Sequence, residues 1–426
     1  MKKILCFSFI ILIVSCSKDD DSPTTISSVK LKWSKAFGGS GIDRGYAVSK
    51  TTDGGTVVVG GTTTADGDFT SNLGGYDMFV IKLDASGTKQ WIKTYGGSDD
   101  EYGNSVIATA DGGYAIAGGT WSTDGDVSGN HGGSDGWVIK LDASGAKQWA
   151  KTFGEEGNDE ILSIITTSDG GYVIAGTSAN GNTDNIWVLK LSSSSAIEWS
   201  KTFGASFWPL THPMTITADG GYAITGYTNS INDDFSNNLG GDDMFVIKLD
   251  ASGAKQWAKT FGGSDVEYGN SIIATADGGY AIVGTTWSTN GDVSGNHGGS
   301  DGWVIKLDAS GTKQWDKTFG GSADDNGNSL VTTSSGQYII SGSVESADGD
   351  VTKRHGYPDG FIIALDASGN KLLAKTFGGS DGNVILQMTI TANGKYIVTA
   401  GYTSSTDRDI SGNHGSYDCW VMQLKF

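Results

Sequence analysis

One unit recurs along this chain at a nearly fixed spacing, and that periodicity limits the possible folds more than any other feature. Trp33 returns as Trp91, Trp149, Trp199, Trp257 and Trp315, with Leu373 in the seventh slot, at intervals of 58, 58, 50, 58, 58 and 58 residues. Each opens a "WxKxFGG" run or a close variant. A "DGGY"-type turn follows in step at Asp53, Asp111, Asp169, Asp219, Asp277, Ser335 and Asn393, and a "WVIKLD"-type run completes each copy. A unit this short cannot bury its apolar faces alone, so the copies must pack against one another.

Each unit reads as four strands. In the fifth, "NSIIATA" (Asn270 to Ala276) is strand a, "YAIVGTT" strand b, "WVIKLD" (Trp303 to Asp308) strand c and "QWDKTFGG" strand d. Apolar alternation, β-branched content and Gly/Asp/Asn turns favour strands, and no useful amphipathic helix appears. Glycine, at 66 of 426 residues, is about twice as frequent as usual. With four prolines and regular apolar runs between the glycines, that excess means many turns rather than disorder. Four antiparallel strands at such a period make a propeller blade. The expectation is therefore an all-β chain, a seven-bladed β-propeller over residues 29–426 that forms a monomeric ring. The chain finishes on a strand c ("DCWVMQLKF") and, near its start, carries an unpartnered strand d, Val29 to Phe37. That N-terminal strand is expected to close the ring and protect its edges.

"KLDASGTKQW" (Lys82 to Trp91) and its relatives in the other blades are similar to the tryptophan-docking motif of quinoprotein-type propellers, with a spacing one residue shorter. The resemblance implies that the Asp, the Gly-Lys turn and the Trp tie strand c to strand d and to the next blade. It implies scaffold, not a cofactor site. The whole unit also resembles repeats in surface lipoproteins of the Bacteroidota.

The N-terminus bears on cellular address. Lys2 and Lys3 precede an apolar run, Ile4 to Val14, that is too short to span a bilayer. The run ends in "IVSC", which resembles the bacterial lipobox and implies a signal peptide of residues 1–15 cut before a lipidated Cys16. "SKDDD" (Ser17 to Asp21) resembles the export tag of Bacteroidota lipoproteins, so the expected location is the outer face of the outer membrane. Residues 16–28 read as a flexible tether, and the membrane is contacted through the lipid anchor. Of three cysteines only Cys419 remains in the folded part, which excludes a disulfide framework and marks that thiol as a packing residue. The formal charge of −19 argues against nucleic acid as a partner.

Strand alternation places the tight a–b and c–d turns on one face and the long, acidic b–c and d–a loops on the other, where function is expected. The b–c loops share oxygen donors at positions 1, 3, 5 and 12: Asp66, Asp68, Thr70 and Asp77 in blade one, and Asp124, Asp126, Ser128 and Asp135 in blade two. Blade four has Asn232, Asp234, Ser236 and Asp243; blade five has Asn290, Asp292, Ser294 and Asp301. Blade six has Asp348, Asp350, Thr352 and Asp359; blade seven has Asp407, Asp409, Ser411 and Asp418. Blade three lacks the loop and carries Asn185 in the last slot. This is calcium-loop spacing, although Asp replaces the bidentate Glu and strands flank the loop. The competing reading is that these side chains cap loop backbone N–H groups, for which no ion is needed. No cofactor is implied beyond that candidate calcium. His131, His297, His355 and His414 share a slot with Leu73 and Leu239, which favours packing over ligation.

Departures from the repeat are more informative than agreements. "GASFWPLTHPMTIT" (Gly204 to Thr217) in blade four brings Phe207, Trp208 and His212 to a d–a loop near the ring centre. Trp121 and Trp287 follow strand b on the same face, and Tyr102 and Tyr268 are expected on the d–a loops of blades two and five. Aromatic side chains at a loop mouth can stack on a sugar ring or anchor a protein. No complete catalytic constellation is visible. The leading expectation is a non-catalytic binding protein for glycan or protein. The alternatives are a propeller enzyme acting on polysaccharide and a structural subunit of an envelope complex.

Overall fold

The computed structural model describes residues 26–180, 183–204, 213–231, 234, 235 and 237–426. These residues form seven four-stranded antiparallel sheets arranged as blades of a ring. In blade one, β2 (Asp43–Lys50), β3 (Thr56–Thr62), β4 (Asp77–Leu83) and β5 (Lys89–Tyr95) lie side by side in chain order. The last blade is completed by the first strand. β1 (Lys30–Phe37) runs antiparallel to β28 (Asp418–Lys425), from Lys30 opposite Lys425 to Phe37 opposite Cys419. The seven-bladed propeller expected from the repeat is the observed fold, closed by the N-terminal strand.

The core lies between blades. β3 and β4 are buried at every residue, because the middle of a blade is covered on both faces by its neighbours. That is why their equivalents read as continuous apolar runs rather than alternating ones. At the first junction Val57, Val59, Met78 and Val80 interleave with Val106, Ile116, Trp137 and Ile139 of blade two. Cys419 packs in the same way among Phe37, Val58 and Phe79, and burial pushes its thiol up. The tryptophan slot on the outer strand spans the junction as well. Trp91 meets Tyr114 of the next blade edge-on at 5.8 Å, and a Cβ on Gly87 would lie 2.5 Å from the Trp33 ring. In blade three, expected to lack the long loop, the b and c strands stay paired as far as Asn180 opposite Thr183.

Two boundaries differ from the sequence reading. The innermost strands begin earlier, at Glu101 in blade two and Glu267 in blade five, so Tyr102 and Tyr268 lie on strands rather than on d–a loops. The third strand likewise starts at the position-12 Asp itself, for example Asp135 and Asp301. In both cases the first residue is a buried acid, which composition rules assign to a loop.

Candidate binding site at the channel mouth

Among the described residues, six innermost strands carry a bulge against their neighbour. The register slips between Gly45 and Ala47, Gly103 and Ser105, Ile161 and Ser163, Gly269 and Ser271, Gly327 and Ser329, and Ile385 and Gln387. The extra residue, respectively Tyr46, Asn104, Leu162, Asn270, Asn328 and Leu386, lines the central channel. A bulge re-aims one side chain and sharpens the local twist, which here turns one residue per blade toward the axis. Adjacent innermost strands are then tied by side chains. Asn104 Nδ2 donates to Ile161 O (3.1 Å), Asn270 Nδ2 to Gly327 O (2.9 Å) and Asn328 Nδ2 to Ile385 O (2.9 Å). The following serines accept a backbone N–H from the next blade, as Ser105 does from Ile164 (3.2 Å).

The channel opens as a cavity of about 650 Å³ lined by Arg44, Tyr46, Tyr102, Glu160, Tyr227, Tyr268 and Tyr402 together with the amides just named. The aromatic residues that line it and those packed against them fall into three groups. Tyr102 packs against Tyr46 (6.2 Å), Tyr76 (5.0 Å) and, edge-on, Trp121 (5.9 Å). Tyr268 stacks on Tyr227 (4.5 Å) and meets Trp287 edge-on (5.4 Å). Tyr402 and Tyr417 are 5.4 Å apart, and the Arg44 guanidinium lies 5.0 and 5.1 Å from their ring centres. Trp121 and Trp287 remain 37% and 36% exposed, enough to present a face to a ligand.

The polar groups are spread around the same space. Arg44 Nε is buried without a hydrogen-bond partner. Glu160 accepts a hydrogen bond from Asn104 Nδ2 (2.7 Å), and burial raises its carboxyl despite that bond. A Cβ on Gly119 would touch both Glu160 Cγ (3.2 Å) and the Trp121 ring (3.5 Å), so carboxyl and indole are neighbours. Three blades on, Asn326 takes the Glu160 slot and accepts a hydrogen bond from Thr285 Oγ1 (3.3 Å), two residues before Trp287 in the chain. Burial raises the phenols of Tyr46, Tyr102, Tyr268 and Tyr402, which keeps them neutral.

The structure thus brings Tyr102 to Trp121 and Tyr268 to Trp287. Arg44, Tyr46, Glu160, Tyr227 and Tyr402 were missed from the sequence. The available signal was variation at the bulge slot and the slot two residues before it, in copies otherwise closely matched. Phe207, Trp208, His212, Asn232, Ser236 and Cys16 lie outside the described residues.

The acidic b–c loops are bound to backbone and lysine. In blade one, Asp66 accepts the Ser40 N–H (2.8 Å), Asp68 the Gly38 N–H (3.3 Å) and Asp77 the Leu73 N–H (2.7 Å). Asp68 also pairs with Lys89 at 2.5 Å. The same contacts recur: Asp124 with Ser98, Asp348 with Ser322 and Asp407 with Ser380 at position 1. At position 3, Asp234, Asp292, Asp350 and Asp409 accept the N–H of Gly204, Gly262, Gly320 and Gly378. Lys147 pairs with Asp126. At position 12, Asp135, Asp243, Asp301, Asp359 and Asp418 accept the N–H of His131, Leu239, His297, His355 and His414. Each loop therefore uses its carboxylates on separate partners, and no three carboxylate, imidazole or thiol groups among the described residues form a metal-sized cluster. The shared backbone N–H explains why the His slot accepts leucine. The imidazoles themselves are not packed inside: His131 is half-exposed and its Nδ1 reaches Asp135 at 2.7 Å.

No family model matches the chain. Part of it is similar to the regulatory protein FlaEY of Caulobacter vibrioides, 26% identical over 175 residues, which cover 37% of this chain and 18% of that relative's length. Among solved structures, the Pan2 WD40 domain of Neurospora crassa superposes with a TM-score of 0.52 at 10% identity, covering 93% of this chain and 96% of that one. Hydrazine synthase of Kuenenia stuttgartiensis gives 0.51 at 12% identity, over 84% and 92%. A puromycin hydrolase gives 0.50 at 10% identity, over 84% and 50%. The likeness is one of fold. These propellers differ widely in what their names say they do, so function must be argued from the site.

Proposed function

We propose that this protein is a non-catalytic, lipid-anchored binding protein of the outer cell surface that receives a glycan at the channel mouth. The observation that carries the reading is a pair of matching subsites three blades apart: Tyr102–Trp121 beside Glu160, and Tyr268–Trp287 beside Asn326. A half-exposed indole offers a flat apolar face to a sugar ring, and the adjoining carboxyl or amide accepts its hydroxyl protons. Arg44 Nε–H and the neutral phenols supply donors. The formal charge of −19 favours a neutral saccharide over a polyanion. The lipobox-like "IVSC" and the acidic run after Cys16 support the surface anchor.

A glycan array run with and without a calcium chelator tests the ligand class. Trp121→Ala and Trp287→Ala are each expected to cost about 2 kcal/mol, roughly thirtyfold in Kd, as for a central aromatic contact. Silence of the wild-type protein in both conditions would shift the reading to a protein partner. Turnover of a bound polysaccharide would make the site an active site instead.

A further inference from the structure

Five blade junctions bury two carboxyl groups against each other. The first residue of a third strand faces the first residue of the next innermost strand: Asp77 with Glu101, Asp135 with Asp159, Asp243 with Glu267, Asp301 with Asp325, and Asp418 with Asp43. A Cβ on Gly96 would lie 2.4 Å from both Asp77 Oδ1 and Glu101 Oε2; on Gly262 it would lie 2.2 Å from Asp243 Oδ1 and 2.5 Å from Glu267 Oε2. All ten residues are shut off from solvent.

In four of the five pairs the two members are not equally satisfied. Glu101 Oε2 accepts the Gly97 N–H (2.7 Å), and Oε1 accepts the Thr120 hydroxyl (2.7 Å). By contrast, Oδ1 of Asp77, Asp135, Asp243, Asp301 and Asp418 is buried with no donor at all, and at the second junction Asp159 Oδ1 is orphaned as well. A bare carboxylate oxygen turned toward a second carboxylate, away from water, is among the costlier arrangements a core can hold.

A sixth junction shows what the other five lack. There Asn383 stands in the slot of Glu101, and it takes the Thr403 hydroxyl (2.7 Å) as Glu101 takes that of Thr120. Its Nδ2 donates to Asp359 Oδ1 (3.3 Å), which also accepts the Gly356 N–H (3.0 Å) and so is not orphaned. The chain itself has placed a positively polarised hydrogen where the other junctions have none.

We propose that each of the five carboxyl pairs is a binding site for one bridging cation, a proton or a metal ion, held between the orphaned Asp Oδ1 and the facing carboxylate oxygen. In the proton form, one proton per junction is taken from solvent onto Oδ1, and that O–H donates to the facing oxygen, as at Asp77 toward Glu101 Oε2. The charged groups around Asp77 are Glu101 and Asp126, the latter paired with Lys147. Around Asp243 they are Glu267, Asp292 and Asp242. Around Asp135, Asp301 and Asp418 they are the facing Asp159, Asp325 and Asp43, and the imidazoles of His131, His297 and His414, whose Nδ1 atoms lie 2.7, 2.7 and 3.1 Å from the other carboxyl oxygen. Burial, opposed by the Leu73 or Leu239 N–H, and then these negative neighbours push Asp77 and Asp243 up to about 6. A carboxyl raised in the folded state contributes stability that is complete below its ordinary value and is lost as pH rises through the folded one.

The test is thermal melting of the full chain from about pH 5 to about pH 8, in EDTA and again with calcium, for wild type and for the Asp77→Asn/Asp243→Asn double variant. An Asn there can donate through Nδ2 to the facing glutamate while its Oδ1 keeps the leucine N–H. With a bridging proton, wild-type Tm falls as pH rises, calcium has no effect, and the double variant melts several degrees higher than wild type near pH 8 but level with it near pH 5. With a bridging metal, calcium raises the wild-type Tm near pH 8 and the double variant loses that rise. A wild-type Tm that ignores both pH and calcium overturns the proposal. So does a double variant that melts below wild type near pH 8 with and without calcium.

Discussion

Deletion of Val29 to Phe37 is expected to abolish the cooperative unfolding transition of the ring or lower its midpoint by well over 10 °C, on the order of 5–10 kcal/mol. The strand supplies the whole outer edge of the last blade. Its ladder to β28 runs from Lys30 to Phe37, and Ala36, Phe37 and Val29 are buried. Trp420 Nε1 donates to Ser34 Oγ at 2.8 Å, and Lys375 Nζ reaches Val29 O at 3.2 Å, so the segment also ties the last blade to blade six. Loss of ladder bonds at about 1 kcal/mol each and of aromatic burial at roughly 2–3 kcal/mol per ring accounts for that magnitude. The bared β28 would also offer an edge for association, so the truncated protein should aggregate with rising concentration. Calorimetry and light scattering check both effects. A permutant carrying residues 26–37 after Phe426 through a short linker should recover the transition. An unchanged Tm on deletion would show that the strand is ornamental.

Gly284→Ala is expected to cost about 3 kcal/mol or more and to remove the proposed glycan binding together with stability. A Cβ there would lie 1.6 Å from Tyr268 O, which is backbone and cannot swing aside. The close approach exists because the bulge at Asn270 presses the innermost strand onto this glycine. Relief would displace Tyr268 and Asn270, both of which line the channel. Gly278→Ala is the control. That residue has φ of 82° but open space around it, so it should cost only the left-handed strain of about 1–2 kcal/mol and leave binding intact. Equal losses of binding in the two variants would detach the bulge from the site.

Much of the architecture was legible because each blade repeats one arrangement. A buried middle strand must be apolar on both faces, an outer strand only on one, and a turn must carry Gly, Asp or Asn. These demands leave marks at fixed spacing, and seven copies let each mark be checked against six others. The loop carboxylates were harder to read. Asp66 and Asp77 share the oxygen spacing of an ion loop, yet they cap Ser40 and Leu73, and Ser40 lies 26 residues from its acceptor on another connection. Spacing along the chain does not say whether oxygens converge on a point or diverge to separate N–H groups.

The candidate site was legible only in part for a related reason. Trp121 and Trp287 drew attention as aromatics on the loop face, but their pairing with Tyr102 and Tyr268 depends on strands that begin earlier than the turn residues suggest. Arg44 and Tyr402 are separated by most of the chain and meet only because the ring closes. The sequence by itself determined the blade count, the strand order and the closing strand, since these follow from local patterning repeated at a fixed period. Tertiary structure alone decided which residues share the channel and which acids face each other at the junctions. Those contacts join equivalent slots of different blades, and where such slots point is set by the bulges and by the closure of the ring, neither of which has a local signature.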